Sequence, residues 1–160
     1  MKGPPATARV ATPLGILELT ALGGVLTSVR IGVENGAAFQ DPSNIVLEQA
    51  VRQMEDYFSG HRRTFALPLA QAGTTRGIEL RTGIALIAFG ETLTYGELAY
   101  RIGSSARAVG QACQRNPFPI IIPCHRVTSS GNAREHYSAG AGPETKAWLL
   151  DFEAGRTRLL

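Results

Sequence analysis

Ile120-Ile121-Ile122-Pro123-Cys124-His125-Arg126-Val127 sets one of two cysteines beside one of three histidines at the end of a strongly apolar run. A run of that composition has to be buried. It reads as a core strand, with Pro123 standing where no ladder N–H is needed. A thiol emerging there sits at the rim of a core, where burial raises its pKa. A useful nucleophile must be a thiolate, so a proton acceptor has to be close. Side chains alternate faces along a strand, so Cys124 and His125 would need a bridging water or a local kink to communicate. For the pair alone, a core cysteine beside an unrelated histidine is the default. Other segments of the chain shift that balance.

The 160 residues suffice for one ordinary core or two small modules, and 44% hydrophobic with 18% charged residues suits a globular chain. No apolar run approaches the length a bilayer span requires, so no membrane partner is expected. The N-terminus lacks the apolar segment of a secretory signal, and the expected compartment is the cytoplasm, at the nucleoid in a bacterium. There the two cysteines are expected to be free. A net charge of +3 is a mild bias towards polyanions and weak evidence for any one of them.

Residues 8–12, 16–21 and 25–31 read as a β-meander punctuated by Pro13-Leu14-Gly15 and Gly23-Gly24. Ser43 and Asn44 cap a helix running to Phe58, with Ile45, Val46, Val51, Met54 and Phe58 as its apolar face. Phe65-Ala66-Leu67-Pro68-Leu69 is a short extended edge segment, and Gln71-Ala72-Gly73 is a seam. The expected class is therefore α/β (α+β): a small N-terminal β-sheet domain with a helix over 1–72, and a mainly helical domain over 73–160. Within the second, a helix is expected over 78–87. Thr94-Tyr95-Gly96-Glu97 has the form of a capping box, and Gly103 stops the helix it opens. Ser104-Ser105 then caps a helix beginning Ala106-Arg107-Ala108-Val109-Gly110, which makes a winged-helix-like helix-turn-helix. Pro143 opens a last helix with Trp148, Leu149 and Phe152 facing inward.

The second helix of that pair carries small residues and one long side chain, Arg107, near its start. Close helix packing with a solvated arginine explains this. So does a helix laid into a nucleic-acid groove, its positive N-terminus towards phosphates and its arginine entering the base stack. Asn116-Pro117 is a turn signal that can also tie the helix pair to the Cys124 segment. Glu153 is an ordinary helix charge unless it orients His125, because an imidazole acting as a base needs a partner fixing its tautomer. Tyr137-Ser138 is either a flexible loop or a pocket wall offering hydroxyls. A zinc site from Cys113, Cys124, His125 and His136 lacks the short ligand pairs of structural zinc, and no metal is expected.

With Pro123-Cys124-His125-Arg126-Val127, Phe89-Gly90-Glu91-Thr92, Thr94 to Ala99, Ala106 to Gly110 and Asn116-Pro117 in view, the chain resembles the methylated-DNA–protein-cysteine methyltransferases, the O6-alkylguanine-DNA alkyltransferases. The likeness extends over the C-terminal helix and, more loosely, the N-terminal half. It implies a single-turnover DNA repair enzyme that acts as a monomer, without a cofactor, on double-stranded DNA approached from the minor groove. Cys124, His125, Glu153, Asn116 and Tyr95 would be its catalytic residues. Ala106, Arg107, Thr94, Tyr95, Gln114 and Arg115 would meet the DNA, with Arg107 replacing the extruded alkylated guanine. Tyr137, Ser138, Arg134, Glu135, His136 and Lys146 would form the substrate pocket. The chain departs from the pattern at Arg76, Arg81 and Ala88, in a short turn at Gly103-Ser104-Ser105, and at Glu135-His136, where the family carries Gly-Gly. The last change bears on the pocket, where Arg134 or His136 would favour an unusual or anionic adduct. Two other functions stay open: a non-enzymatic alkyltransferase-like DNA-binding protein, and a Cys-His-Glu enzyme with an altered alkyl or small-molecule substrate.

Overall fold

A computed structural model describes residues 3–34, 43–130 and 135–156. The chain forms two compact units, Met1–Gln71 and Ala72–Leu160.

The first unit is an antiparallel meander of β1 (Ala6–Thr12), β2 (Gly15–Leu22) and β3 (Val25–Ile31), in the order β1-β2-β3. Gly23 and Gly24 form the two-residue β2–β3 turn, both at positive φ, the conformation that matches the natural twist of a hairpin. A bulge between Thr20 and Ala21 shifts the β2–β3 register. Helix α1 (Ile45–Phe58) is capped by Asn44, whose side chain accepts the Leu47 N–H, and it packs across the sheet. The α1 face that is buried comprises Val46, Leu47, Ala50, Val51, Met54 and Tyr57. Ile45, expected on it, is 67% exposed, because the first residue of the helix projects past the edge of the buried stripe. Gln53 is buried and trades two hydrogen bonds with the Ala66 backbone, at 3.0 and 2.9 Å. It thereby pins the extended segment to α1, while Leu26 and Leu69 bridge the same segment to β3.

The second unit begins with α2 (Thr75–Ala85). The helix starts three residues before the expected 78, because the Thr74 side chain takes the Gly77 N–H and caps it early. The helix-turn-helix follows as expected. β4 (Leu93–Thr94) leads into α3 (Tyr95–Ile102), whose Thr94–Glu97 capping box is complete. Gly103 ends it at φ 64°, and the Ser104 N–H reaches back to the Ala99 carbonyl, so a three-residue turn suffices. Helix α4 (Ala106–Gln114) is capped by Ser105. The chain closes with β5 (Val127–Thr128), paired in parallel with β4, and α5 (Pro143–Glu153). In α5 only Leu149 of the expected inward trio is fully buried. Trp148 and Phe152 are half-buried and stack on each other at 5.1 Å.

The strand expected at 120–122 does not form. Pro117, Pro119 and Pro123 remove three donors from this stretch, and the segment is buried as consecutive turns instead. The Ile122 N–H donates to the Phe118 carbonyl, and Ile120 sits at φ 76°. A β-branched residue is rarely found there and costs about 1–3 kcal/mol. Pro123, at φ −81° and ψ 65°, centres an inverse γ-turn closed by a 2.8 Å bond from the Cys124 N–H to the Ile122 carbonyl. A single 3-10 turn, Cys124–Arg126, then carries the Cys-His-Arg sequence. This is the kink that an extended Cys124-His125 pair lacked.

Candidate active site

Cys124 is held at the rim of a cleft of about 450 Å³ lined by Tyr95, Gly110, Cys113, Gln114, His136, Tyr137 and Ser138. Only 6% of the residue is exposed. Asn116 organises the approach to it. Its amide donates to the Ile122 carbonyl at 2.8 Å and to Cys124 Sγ at 3.2 Å, while its oxygen accepts the Phe118 N–H. One side chain thus ties the end of α4 to both the strained turn and the sulfur. Burial pushes the Cys124 thiol up, and the Asn116 donor and the Lys146 charge offset only part of this. The resting sulfur is therefore a thiol.

Behind it lies a fully enclosed charge network. His125 Nε2–H donates to Glu153 Oε2 at 2.9 Å. Arg126 grips the same carboxylate with two bonds of 2.8 Å, from Nε and Nη2, and its Nη1 donates to the Ile87 carbonyl. The two contacts to Glu153 differ in kind. Burial, only partly offset by Glu153, lowers the His125 pKa, so the imidazole is neutral and its bond to Glu153 is not an ion pair. Burial alone would raise the Glu153 carboxyl, but the Arg126 and His125 hydrogen bonds outweigh it and hold the group far below the usual carboxylate range. With Nε2 as the donor, His125 Nδ1 is left with a lone pair, and this buried atom has no hydrogen-bond partner among the described residues. The network is therefore Arg⁺–Glu⁻–His⁰, with a basic nitrogen kept open. Arg126 was missed by sequence reasoning. Its neighbour His125 gave the only signal, since a buried carboxylate that orients a neutral imidazole still needs a full counter-charge.

The remaining expected residues divide into those that reach the cleft and those that do not. Tyr95, the first residue of α3, lines it, and burial pushes its hydroxyl up to about 12, so it is a proton donor at neutral pH. Tyr137 lines it too, with a buried hydroxyl that has no hydrogen-bond partner among the described residues. His136 and Ser138 complete that wall. Gln114, expected on the DNA side, also lines the cleft, as does Cys113, whose thiol burial pushes up to about 12. Gly110 forms part of the lining as well, with nothing within 4 Å of where a Cβ would stand. Glu135 and Lys146, expected in the pocket, are not among its lining residues. They pair with each other at 2.8 Å, because a buried ammonium recruits the carboxylate as counter-ion and turns it inward. Ala106, Arg107 and Arg115 are exposed along and just past α4, and the Thr94 hydroxyl is engaged as the α3 cap. Arg134 lies outside the described residues. Among the described residues, no group of three His, Cys, Asp or Glu side chains is arranged to hold a metal.

Residues 80–155 match the family described as 6-O-methylguanine DNA methyltransferase, DNA binding domain, and residues 8–71 match its ribonuclease-like domain. The constitutive methylated-DNA–protein-cysteine methyltransferase of Bacillus subtilis is 43% identical over 67% of this chain and 66% of its own length. The Mycobacterium leprae protein of that name is 37% identical over 89% of this chain and 88% of its own. The crystal structure of Mycobacterium tuberculosis OGT in complex with DNA superposes with a TM-score of 0.79, at 34% identity and 94% coverage of each chain. Two adjoining family domains matched in order, and a relative alike over most of both lengths, make this chain a member of the methylated-DNA–protein-cysteine methyltransferase family.

Proposed function

We propose that the protein repairs DNA by moving an alkyl group from O6 of guanine onto Cys124, irreversibly and once per molecule. The observation that carries this reading is the open Nδ1 of a neutral, buried His125, locked by Glu153 and Arg126 beside a buried thiol on a cleft. Such a thiol needs a base, and a neutral imidazole with a free lone pair is one. The Cys124 proton passes to Nδ1 through a bridging water. The thiolate attacks the alkyl carbon in line, the C–O6 bond breaks, and its electron pair stays on the purine. Tyr95 gives the departing guanine a proton, which the proton held by His125 makes good. The sum is thiol plus O6-alkylguanine giving thioether plus guanine. A thioether at a saturated carbon does not hydrolyse, so no turnover follows.

The target atom is inaccessible inside a duplex, so the nucleotide must leave the stack. The exposed Arg107 near the N-terminus of α4 fills the gap from the minor groove, with Ala106, Thr94 and Arg115 as further DNA contacts and Gln114 on the cleft. Arg107 makes DNA contact the business of α4 and leaves the cleft to the base. The domain 73–160 carries both tasks, and one protein molecule acts alone. The DNA complex of the Mycobacterium tuberculosis neighbour supports this reading. Incubation with duplex DNA containing O6-methylguanine is expected to add one methyl mass to the intact protein, and Cys124→Ala to add none. DNA binding without any gain in mass would defeat the proposal.

A further inference from the structure

Lys146 is 1% exposed, on α5, and its ammonium is shared among groups on three other segments. It donates to the Val127 carbonyl of β5 at 2.6 Å, to Glu135 Oε2 at 2.8 Å and to the His136 carbonyl at 3.4 Å, and lies 5.8 Å from the centre of the Tyr95 ring on α3. An ammonium enclosed to this degree needs a counter-charge, and Glu135 is its ion-pair partner among the described residues. The other oxygen of the same carboxylate accepts the Ser129 N–H at 2.9 Å. Glu135 is therefore fixed at two points, one just past β5 and one on α5. The next three residues, His136, Tyr137 and Ser138, form one stretch of the cleft wall.

We propose that Glu135 is a positioning residue that sets the width of the alkyl-binding cleft by strapping this wall to Lys146 and Ser129. The strap acts through the wall, since Glu135 does not itself line the cleft. Two bonds converge on one carboxylate, so the backbone leaving it has a fixed origin and direction. Tyr137 and Ser138 then meet the substrate in a preset place, and binding does not have to order them first. The same ammonium that holds Glu135 also faces the Tyr95 ring. The strap thus couples the wall to the proton donor that lines the same cleft. A neutral amide at 135 keeps the shape and removes the charge, so the wall loosens while the thiol, His125 and Glu153 stay as they are.

The proposal rests on the alkyl-transfer reading, and kinetics on a free base separate the two. Wild type, Glu135→Gln and Glu135→Asp are each reacted with O6-methylguanine and O6-benzylguanine as free bases, following intact mass against time and concentration. Loss of one charge-assisted bond is expected to raise the half-saturating concentration of Glu135→Gln about tenfold, with the maximal rate changed far less. The preference between the methyl and benzyl bases should narrow, and Glu135→Asp should recover part of both effects. Because Lys146 loses its counter-charge, the melting temperature falls under either role; a purely structural one would lower the maximal rate with no change in preference, and would overturn the proposal. So would variants matching wild type in both parameters. A wild type that gains no alkyl mass from any substrate, duplex included, overturns the alkyl-transfer reading and this proposal with it.

Discussion

Glu153 carries two jobs with one carboxylate: it fixes the tautomer of His125 and neutralises Arg126, at side-chain exposures near zero. Glu153→Gln preserves the shape but leaves a buried guanidinium without a counter-charge. Breaking a buried pair from one side costs about 3–5 kcal/mol, so the variant is expected to lose stability on that scale in urea titration, along with alkyl transfer. An unchanged midpoint would show that the charge is compensated elsewhere. Acid acts on the same network. His125 has a lower pKa folded than unfolded, so below its ordinary value of 6.5 the unfolded chain takes up protons that the folded one refuses. Glu153 is also depressed, so the stability it contributes is present above its ordinary 4.5 and is lost as pH falls through and below that value. Both signs agree: stability is expected to hold above about pH 6.5 and to fall in two stages below it, whereas a flat profile from about pH 7 to about pH 4 would contradict the buried neutral imidazole. At this scale the adjacency of Cys124 and His125 was visible but not decisive: alone the pair reads as a core cysteine beside an unrelated histidine, and the other motifs and the resemblance gave it a role. Glu153 came from the resemblance and the need for a tautomer partner. Arg126 was assigned no role, since the need of a buried carboxylate for a counter-charge does not say which cation meets a helix 27 residues later.

The elements were legible wherever local chemistry decides them. Gly23-Gly24, Asn44, Thr94 with Glu97, and Gly103 each do in the structure what their side chains or freedom at positive φ require. The failure was the Ile120-Ile121-Ile122 run. Apolar content says that a segment is buried but not in what form, and the flanking prolines made hydrogen-bonded turns the only satisfied backbone. Packing between α2 and α3 offers a test of close fit. A Cβ at Gly83 would stand 2.7 Å from Ile102 Cγ2, on a β-branched side chain with little freedom to move away. Alanine favours a helix over glycine by about 1 kcal/mol, and overpacking costs about 1–3 kcal/mol. Gly83→Ala is expected to lower the melting temperature despite its better propensity, and a rise would mean that the helices slide apart freely.

Over the whole molecule, the two compact units meet between Gln71 and Ala72, and the two family matches lie on either side of that point. Net charge said least. At +3 it suits a polyanion partner without specifying one, because the cations that matter are distinguished by position and not by number. Salt and mutation sort them. Transfer from duplex DNA is expected to slow steeply with rising salt, as counter-ion release is lost, while transfer from free O6-alkylguanine stays nearly constant. Arg107→Ala should reproduce the same division, depressing duplex transfer alone. Equal losses on both substrates would remove Arg107 from the extrusion step.

Neither sulfur on the cleft is ionised at rest: Cys124 is pushed up by burial, and so is Cys113, to about 12. Stray electrophiles in solution therefore meet two quiet thiols. For a molecule that can be spent only once, such dormancy keeps the stock unspoiled until damaged DNA arrives.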